Sequence, residues 1–241
     1  MIKKVIILSD IHLDTRVPKE YLPVKNFIKA FKPDEILITG DFMDVSALSA
    51  WDLDKKRKME GRRFQKEIDL ANKELDYLQK YSKKVTFMAG NHEFRIDRYL
   101  DKNPEMEGML EANIVLKLDE RNIKYISYNK LHKIGKMNFV HGLFTNQYHA
   151  AKHLEAIGDN ICYGHTHRPM TWFKASKLQK PIMAYGLGCL CNKEPEYMRD
   201  KWANWLSQFG VMYYDDKTGH FNLYPINVVT YKFIWNGVEY K

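Results

Sequence analysis

The chain has 241 residues, 45% of them hydrophobic and 28% charged, with a formal net charge of +8. These values suit a globular chain with a substantial core. They exclude a helical membrane span, because no apolar stretch approaches the roughly 20 residues that a bilayer demands.

The charge is uneven. Seven basic residues (Lys55, Lys56, Arg57, Lys58, Arg62, Arg63 and Lys66) face one acid, Glu60, so six of the eight net positive charges fall in twelve residues. Such a cluster attracts phosphates or nucleic acid, or it is a solvated helix start. Cys162, Cys189 and Cys191 give an odd count with no regular framework. Cys189 and Cys191 would point the same way in a strand. With no second cysteine pair to complete a tetrahedral site, we read them as reduced, buried thiols.

In chain order, Lys4–Leu8 is predicted as a buried strand. Its apolar run stops at Ser9-Asp10, too short for a signal-peptide core, so a cytoplasmic location is expected. Tyr21–Phe31 reads as a helix with Pro23 near its start, and Glu35–Thr39 as a second strand. Ser46–Lys66 reads as a basic insertion. From about Arg62 to Tyr81, Phe64, Ile68, Ala71, Leu75 and Leu78 recur at helical spacing. Val85–Ala89 is a third strand, and this alternation implies a parallel sheet. Phe94–Asn122 is helical but broken by Pro104 and Gly108. Strands follow at Lys124–Tyr128, Leu131–Ile134 and Met137–Val140, then a helix over Gln147–Ile157 and a strand at Ile161–Tyr163. From Ile182 the chain is mostly β, with a short helix near Asp200–Leu206 and hairpin signals at Asp215–Gly219 and Asn236-Gly237. No linker divides the chain, so one domain is expected.

Five motifs sit at the ends of these apolar runs: Asp10-Ile11-His12, Gly40-Asp41, Gly90-Asn91-His92-Glu93, His141-Gly142 and Gly164-His165-Thr166-His167. In open α/β sheets, sites form beyond the carboxyl ends of strands. Carboxylate, amide oxygen and imidazole together suit Mn²⁺, Fe or Zn²⁺. Two such ions about 3.5–4 Å apart can clamp both oxygens of a phosphoryl displacement and supply hydroxide near neutral pH.

In order and type, the five motifs resemble the signature blocks of the calcineurin-like metallophosphoesterases, from Asp10 to His167. In size the chain also resembles the compact members carried by bacteriophages. The resemblance implies an α/β (α+β) four-layer fold: two mixed β-sheets in a sandwich, flanked by helices. It implies that Asp10, His12 and His167 hold one metal, that Asn91, His141 and His165 hold another, and that Asp41 bridges them. Mn²⁺ is the expected ion, with Fe, Zn²⁺, Ni²⁺ or Mg²⁺ as alternatives. His92 would face the phosphate, stabilising its charge or protonating the leaving oxygen while metal-bound hydroxide attacks phosphorus. Asp44 and Glu93 would orient His92 or a ligand.

Other residues are read from position alone. Arg16, Arg95 and Arg168 follow motifs closely and can grip a phosphate. His149 and His153 lie four apart on a predicted helix and read as its surface, with His149 able to approach substrate. Trp172, Trp202, Trp205, Phe209, Tyr213 and Tyr214 read as core and sheet-packing residues rather than a base-stacking groove. Family membership leaves the substrate open. The basic cluster favours a phosphodiesterase acting on DNA, RNA or nucleotides. A phosphomonoesterase or Ser/Thr phosphoprotein phosphatase is the alternative, but Gly40-Asp41-Phe42-Met43-Asp44-Val45-Ser46 lacks the Arg-Gly of that branch. A binding scaffold without catalysis ranks last. The DNA-repair nuclease branch adds a C-terminal cap. Only 74 residues follow His167 here, so a nuclease would grip DNA through the basic insertion. Oligomeric state is not legible.

Overall fold

The computed structural model describes residues 1–14, 16–49, 59–178, 180–192 and 204–241. The first sheet holds β1 (Ile2–Leu8), β2 (Glu35–Ile38), β3 (Lys84–Met88) and β4 (Lys124–Ile126) in parallel. The second holds β5 (His132–Ile134), β6 (Met137–Val140), β7 (Ile161–Tyr163), β8 (Met170–Lys174) and β9 (Ile182–Gly186) in the order β5-β6-β7-β9-β8. Here β6, β7 and β9 run parallel, and β5 and β8 are antiparallel edges. Finally β10 (Gln208–Asp215) and β11 (Phe221–Asn227) return to the first sheet, antiparallel, beside β1. A hairpin of β12 (Phe233–Trp235) and β13 (Val238–Tyr240) ends the chain.

Alternation along the strands builds the layers. Val5 and Ile7 face the second sheet, where they meet Met137, Phe139, Cys162 and Leu187. Ile6 and Leu8 face the opposite side, among Phe27, Ile28, Leu75 and Leu78. Those last residues belong to α1 (Leu22–Phe31) and α2 (Phe64–Tyr81). Both faces of β1 are therefore buried, which is why its sequence is a continuous apolar run. The two mixed sheets with flanking helices agree with the expected sandwich. Among the described residues, no helix is long and apolar enough to cross a membrane.

Several boundaries moved. α2 begins at Phe64 rather than Arg62, because Arg63 is extended at φ −139°. Phe94–Asn122 resolves into α3 (Phe94–Leu100), a 3₁₀ turn at Pro104–Met106 and α4 (Ala112–Val115). β8 was not expected. Residues 204–206 are not helical, and the start of the helix expected there lies outside the described residues.

The histidines of α5 (His149–Ile157) overturn their surface reading, since His149 and His153 are both 0% exposed. The reason is β7, which runs beneath the helix. The Tyr163 ring stacks on His153 at 3.6 Å, and its hydroxyl meets Nδ1 of His149. His153 Nδ1 donates to the His149 carbonyl at 2.7 Å, and its Nε2 accepts the Leu143 N–H at 2.8 Å. The remaining aromatics split. Phe209 is in the core, Tyr213 and Tyr214 pack at its margin, and Trp172 is 46% exposed on edge strand β8. Trp202 lies outside the described residues.

Two stability outcomes are expected. Phe139→Ala empties the space between the sheets and should cost roughly 3–5 kcal/mol; a urea-unfolding change under about 1 kcal/mol would contradict this packing. Burial lowers His149 and His153 to about 4, aided for His149 by the Arg168 charge. Between about pH 6.5 and 4 the unfolded chain then holds more protons, so stability falls as pH falls. Urea midpoints across this range should decline less steeply in the His149→Gln/His153→Gln variant than in the wild type.

Candidate metal centre

Five strands deliver the motifs to one rim. Asp10 follows β1, Asp41 follows β2, Asn91 and His92 follow β3, His141 follows β6, and His165 and His167 follow β7. The chain must then turn sharply to aim these side chains inward. It does so by left-handed backbone at Asp10, His12, Asp41, His165 and His167, with φ of 52°, 51°, 49°, 67° and 57°. Such conformations are uncommon outside glycine. Neighbouring loops hold them: the N–H groups of Asp10 and His12 donate to the carbonyls of Gly40 and Asp41, and Leu190 N–H donates to Asp10 O at 3.0 Å. The glycines before the acidic and amide ligands are steric requirements. A Cβ at Gly90 would lie 2.1 Å from Asp41 Oδ1, and one at Gly40 2.4 Å from His141 Nδ1.

The donors form two sets. Asp10, His12 and His167 offer ligand atoms within 4.8 Å of one another, as do Asp41, His141 and His165. Asn91 Oδ1 lies 2.9 Å from His141 Nε2 and so joins the second set. Asp41 Oδ2 lies between the sets, 3.7 Å from His12 Nε2 and 3.4 Å from His141 Nε2. Carboxylate, amide and imidazole donors at this spacing fit two borderline divalent cations. Burial disfavours charge here, yet each carboxylate is held ionised by its histidines. Asp41 is depressed despite burial by His141 and His92, and Asp10 by His167. Reciprocally, Asp41 overcomes burial to raise His141 to about 9, and Asp10 raises His167 to about 10. Divalent cations compete with those protons for the same lone pairs.

His92 stands at the edge of both sets, its ring 4.4 Å from that of His12. Its Nδ1 lies 2.8 Å from Asp44 O and 3.0 Å from Asp44 Oδ1, which assigns the proton to Nδ1. Its Nε2 then accepts from Arg95 Nη2 at 3.2 Å. Asp44 thus orients His92, and it also contacts His12 Nδ1 at 3.3 Å. Glu93 acts elsewhere. Buried and 1% exposed, it accepts the backbone N–H groups of Asp41, Gly90 and Met43 at 2.8–2.9 Å. It ties two motif loops together and does not touch His92 in these bonds.

The remaining candidates are dispersed. Arg16 is exposed. Arg168 donates to Thr145 O at 2.8 Å, and His149 is buried against Tyr163. Arg62 donates to Asp14 and Ser46 at 3.0 and 2.7 Å, and Arg63 to the Arg62 carbonyl. Lys55, Lys56, Arg57 and Lys58 lie outside the described residues. Sequence reasoning did not connect Cys189, Cys191 and Trp205 with this centre, yet all three adjoin His167. The i, i+2 spacing of the cysteines was the available signal.

Glu93→Gln replaces one acceptor oxygen with an NH₂ that opposes a backbone N–H. Divalent-cation affinity should fall roughly 10–100-fold, as measured by calorimetric Mn²⁺ titration. Unchanged affinity would mean that the loops hold without this carboxylate.

The sequence profile of the calcineurin-like phosphoesterases matches residues 3–181. The Gene 54 proteins of Mycobacterium phages D29 and L5 are 25% and 26% identical, each over 94% of both chains. Among solved structures, Vacuolar Protein Sorting 29 from Cryptosporidium parvum has a TM-score of 0.51 at 12% identity, covering 99% of this chain and 94% of that one. Chaetomium thermophilum Vps29 has a TM-score of 0.50 at 12% identity, covering 95% and 92%. These two show the shared fold alone. The profile covers the strands from β1 to β8 and all five motif loops, and the chain therefore belongs to the calcineurin-like phosphoesterase family.

Proposed function

We propose that this protein is a dinuclear-metal phosphoesterase, and specifically a cytoplasmic phosphodiesterase of nucleic acid or nucleotides. The observation that carries the dinuclear reading is Asp41 Oδ2, a buried carboxylate oxygen between two donor sets. Asp10, His12 and His167 would hold one cation, Asn91, His141 and His165 the other, with Asp41 shared. Mn²⁺ suits these oxygen and nitrogen donors. When bound, the two cations supply Lewis acidity at the phosphoryl oxygens and a water of lowered pKa.

The chain's own residues do the rest. Asp44 fixes the His92 ring through Nδ1, which leaves Nε2 on the side of Asp41 Oδ2, 3.9 Å away. Asp41 and Asp44 raise the pKa of His92 against burial and the Arg95 charge; on taking a proton, Nε2 gives up the bond it accepts from Arg95 and can meet a phosphate anion or protonate a leaving oxygen. Arg95 offers a guanidinium beside the same Nε2, within reach of a phosphate that docks there. The nucleic-acid preference draws on the basic cluster before α2. The free, buried thiols suit a reducing cytoplasm.

Asp41→Asn and His141→Ala should each reduce Mn²⁺-dependent hydrolysis of an aryl phosphodiester to below about one-hundredth of wild type. Retained activity after metal removal and reloading would sink the dinuclear assignment. A panel of single- and double-stranded DNA, RNA, cyclic nucleotides, phosphopeptide and aryl esters tests the substrate. Preference for the phosphopeptide would overturn the diesterase reading. Neutralising Lys55–Arg63 should impair polynucleotide cleavage and spare the aryl ester.

A further inference from the structure

A sixth parallel strand ends on the same rim. β9 pairs with β7 through Gly186, and the chain continues as Leu187-Gly188-Cys189-Leu190-Cys191 toward the metal motifs. Four backbone bonds hold this stretch: Leu187 N to Tyr163 O, Cys189 N to Leu206 O, Leu190 N to Asp10 O, and Gln208 N to Cys189 O, all at 2.8–3.1 Å. Leu190 turns into the helix-side core. The flanking cysteines turn the other way, as residues two apart do in extended chain. Both are buried, and both reach His167.

His167 has two usable edges. Its Nε2 faces the first donor set, 3.2 Å from Asp10 Oδ1 and 3.3 Å from His12 Nε2. Its Nδ1 faces away, 3.9 Å from Cys191 Sγ. Ligand atoms of Cys189, Cys191 and His167 all lie within 4.8 Å of one another. Trp205 packs edge-on against the same imidazole at 4.4 Å and holds the ring between the two groups.

We propose that Cys189, Cys191 and Nδ1 of His167 form a third cation site, selective for a thiophilic divalent ion such as Zn²⁺ or Cd²⁺. Two sulfurs and one imidazole are a soft donor set, unlike the sulfur-free oxygen and nitrogen sets beside it. A tetrahedral zinc with Zn–S near 2.3 Å and Zn–N near 2.0–2.1 Å places its ligand atoms about 3.5–3.8 Å apart. The Nδ1 to Sγ separation needs little adjustment to meet that. On binding, both thiol protons and the Nδ1 proton of His167 leave to solvent, because Nε2 already serves the first donor set; the two thiolates balance the charge of the dication, and the imidazolate is shared between the soft ion and the cation on Nε2. With three protein ligands, the fourth position is open to water. Sharing His167 lets a soft ion act on the hydrolytic centre through one ring. That coupling rests on the dinuclear reading above, whereas the sulfur site does not.

The test uses the full chain, reduced and loaded with Mn²⁺, then titrated with Cd²⁺. A thiolate-to-cadmium absorption band should grow and saturate at one equivalent. The Cys189→Ser/Cys191→Ser variant should lose the band and retain the wild-type Mn²⁺ stoichiometry. Absence of the band in the wild type, or its persistence in the variant through Cys162, would overturn the site. Should the variant fail to fold, the zinc-edge X-ray absorption of the wild type decides, since sulfur scattering at about 2.3 Å is required. A Mn²⁺ stoichiometry below two with the sulfur band intact would sink the dinuclear reading and leave the third site standing. Two Mn²⁺ without the band would do the reverse.

Discussion

Asp41 is the side chain on which the rest of the centre depends. Its Oδ1 accepts the His92 N–H, its Oδ2 lies within 3.9 Å of His12, His92 and His141, and its backbone N–H is held by Glu93. It is 2% exposed. A carboxylate removed from water stays ionised only if positive charge or hydrogen-bond donors compensate. The surrounding histidines and N–H groups meet that demand. Loops from β1, β2, β3 and β6 are thereby drawn to one point, and divalent cations meet the same demand more strongly.

Convergence has a backbone cost. Five residues at the rim adopt left-handed conformations, at roughly 1–2 kcal/mol each. Such strain persists only where the surroundings over-determine it. The bonds of His12 to Asp41, Gly164 to His141 and Leu190 to Asp10 cross between strands and supply that constraint. Behind the rim, side chains of both sheets fill the interior, so the strand ends cannot shift independently. The site is stiff because the sandwich beneath it is closely packed.

The same packing explains which readings of the sequence failed or stayed open. His149 and His153 share one helical face, and periodicity could not say whether solvent or β7 would lie against it. Glu93 was expected to orient His92 or a ligand, and its place in the motif could not say which. The side chain accepts the backbone N–H groups of Asp41 and Met43 in the loop after β2 and of Gly90 in its own loop, so the ligand it orients is Asp41. β8 escaped notice because Met170–Lys174 is exposed along most of its length, and only pairing with β9 makes it a strand. Cys189 and Cys191 are free and buried as expected, and only the fold brings His167 to them.

By itself, the sequence determined the chemistry of the donors and the order in which strands present them. Those properties are local: an apolar run predicts a buried strand, a glycine before Asp41 or Asn91 permits a close turn, and an imidazole or carboxylate carries its ligand type wherever it sits. Tertiary structure alone decided which donors share a point. Asp10 meets His165 and His167 across more than 150 residues, and Asp41 meets His141 across the gap between two sheets. Such contacts depend on strand register, sheet order and the packing of one sheet on the other. These emerge from the whole chain together, and no window of sequence contains them.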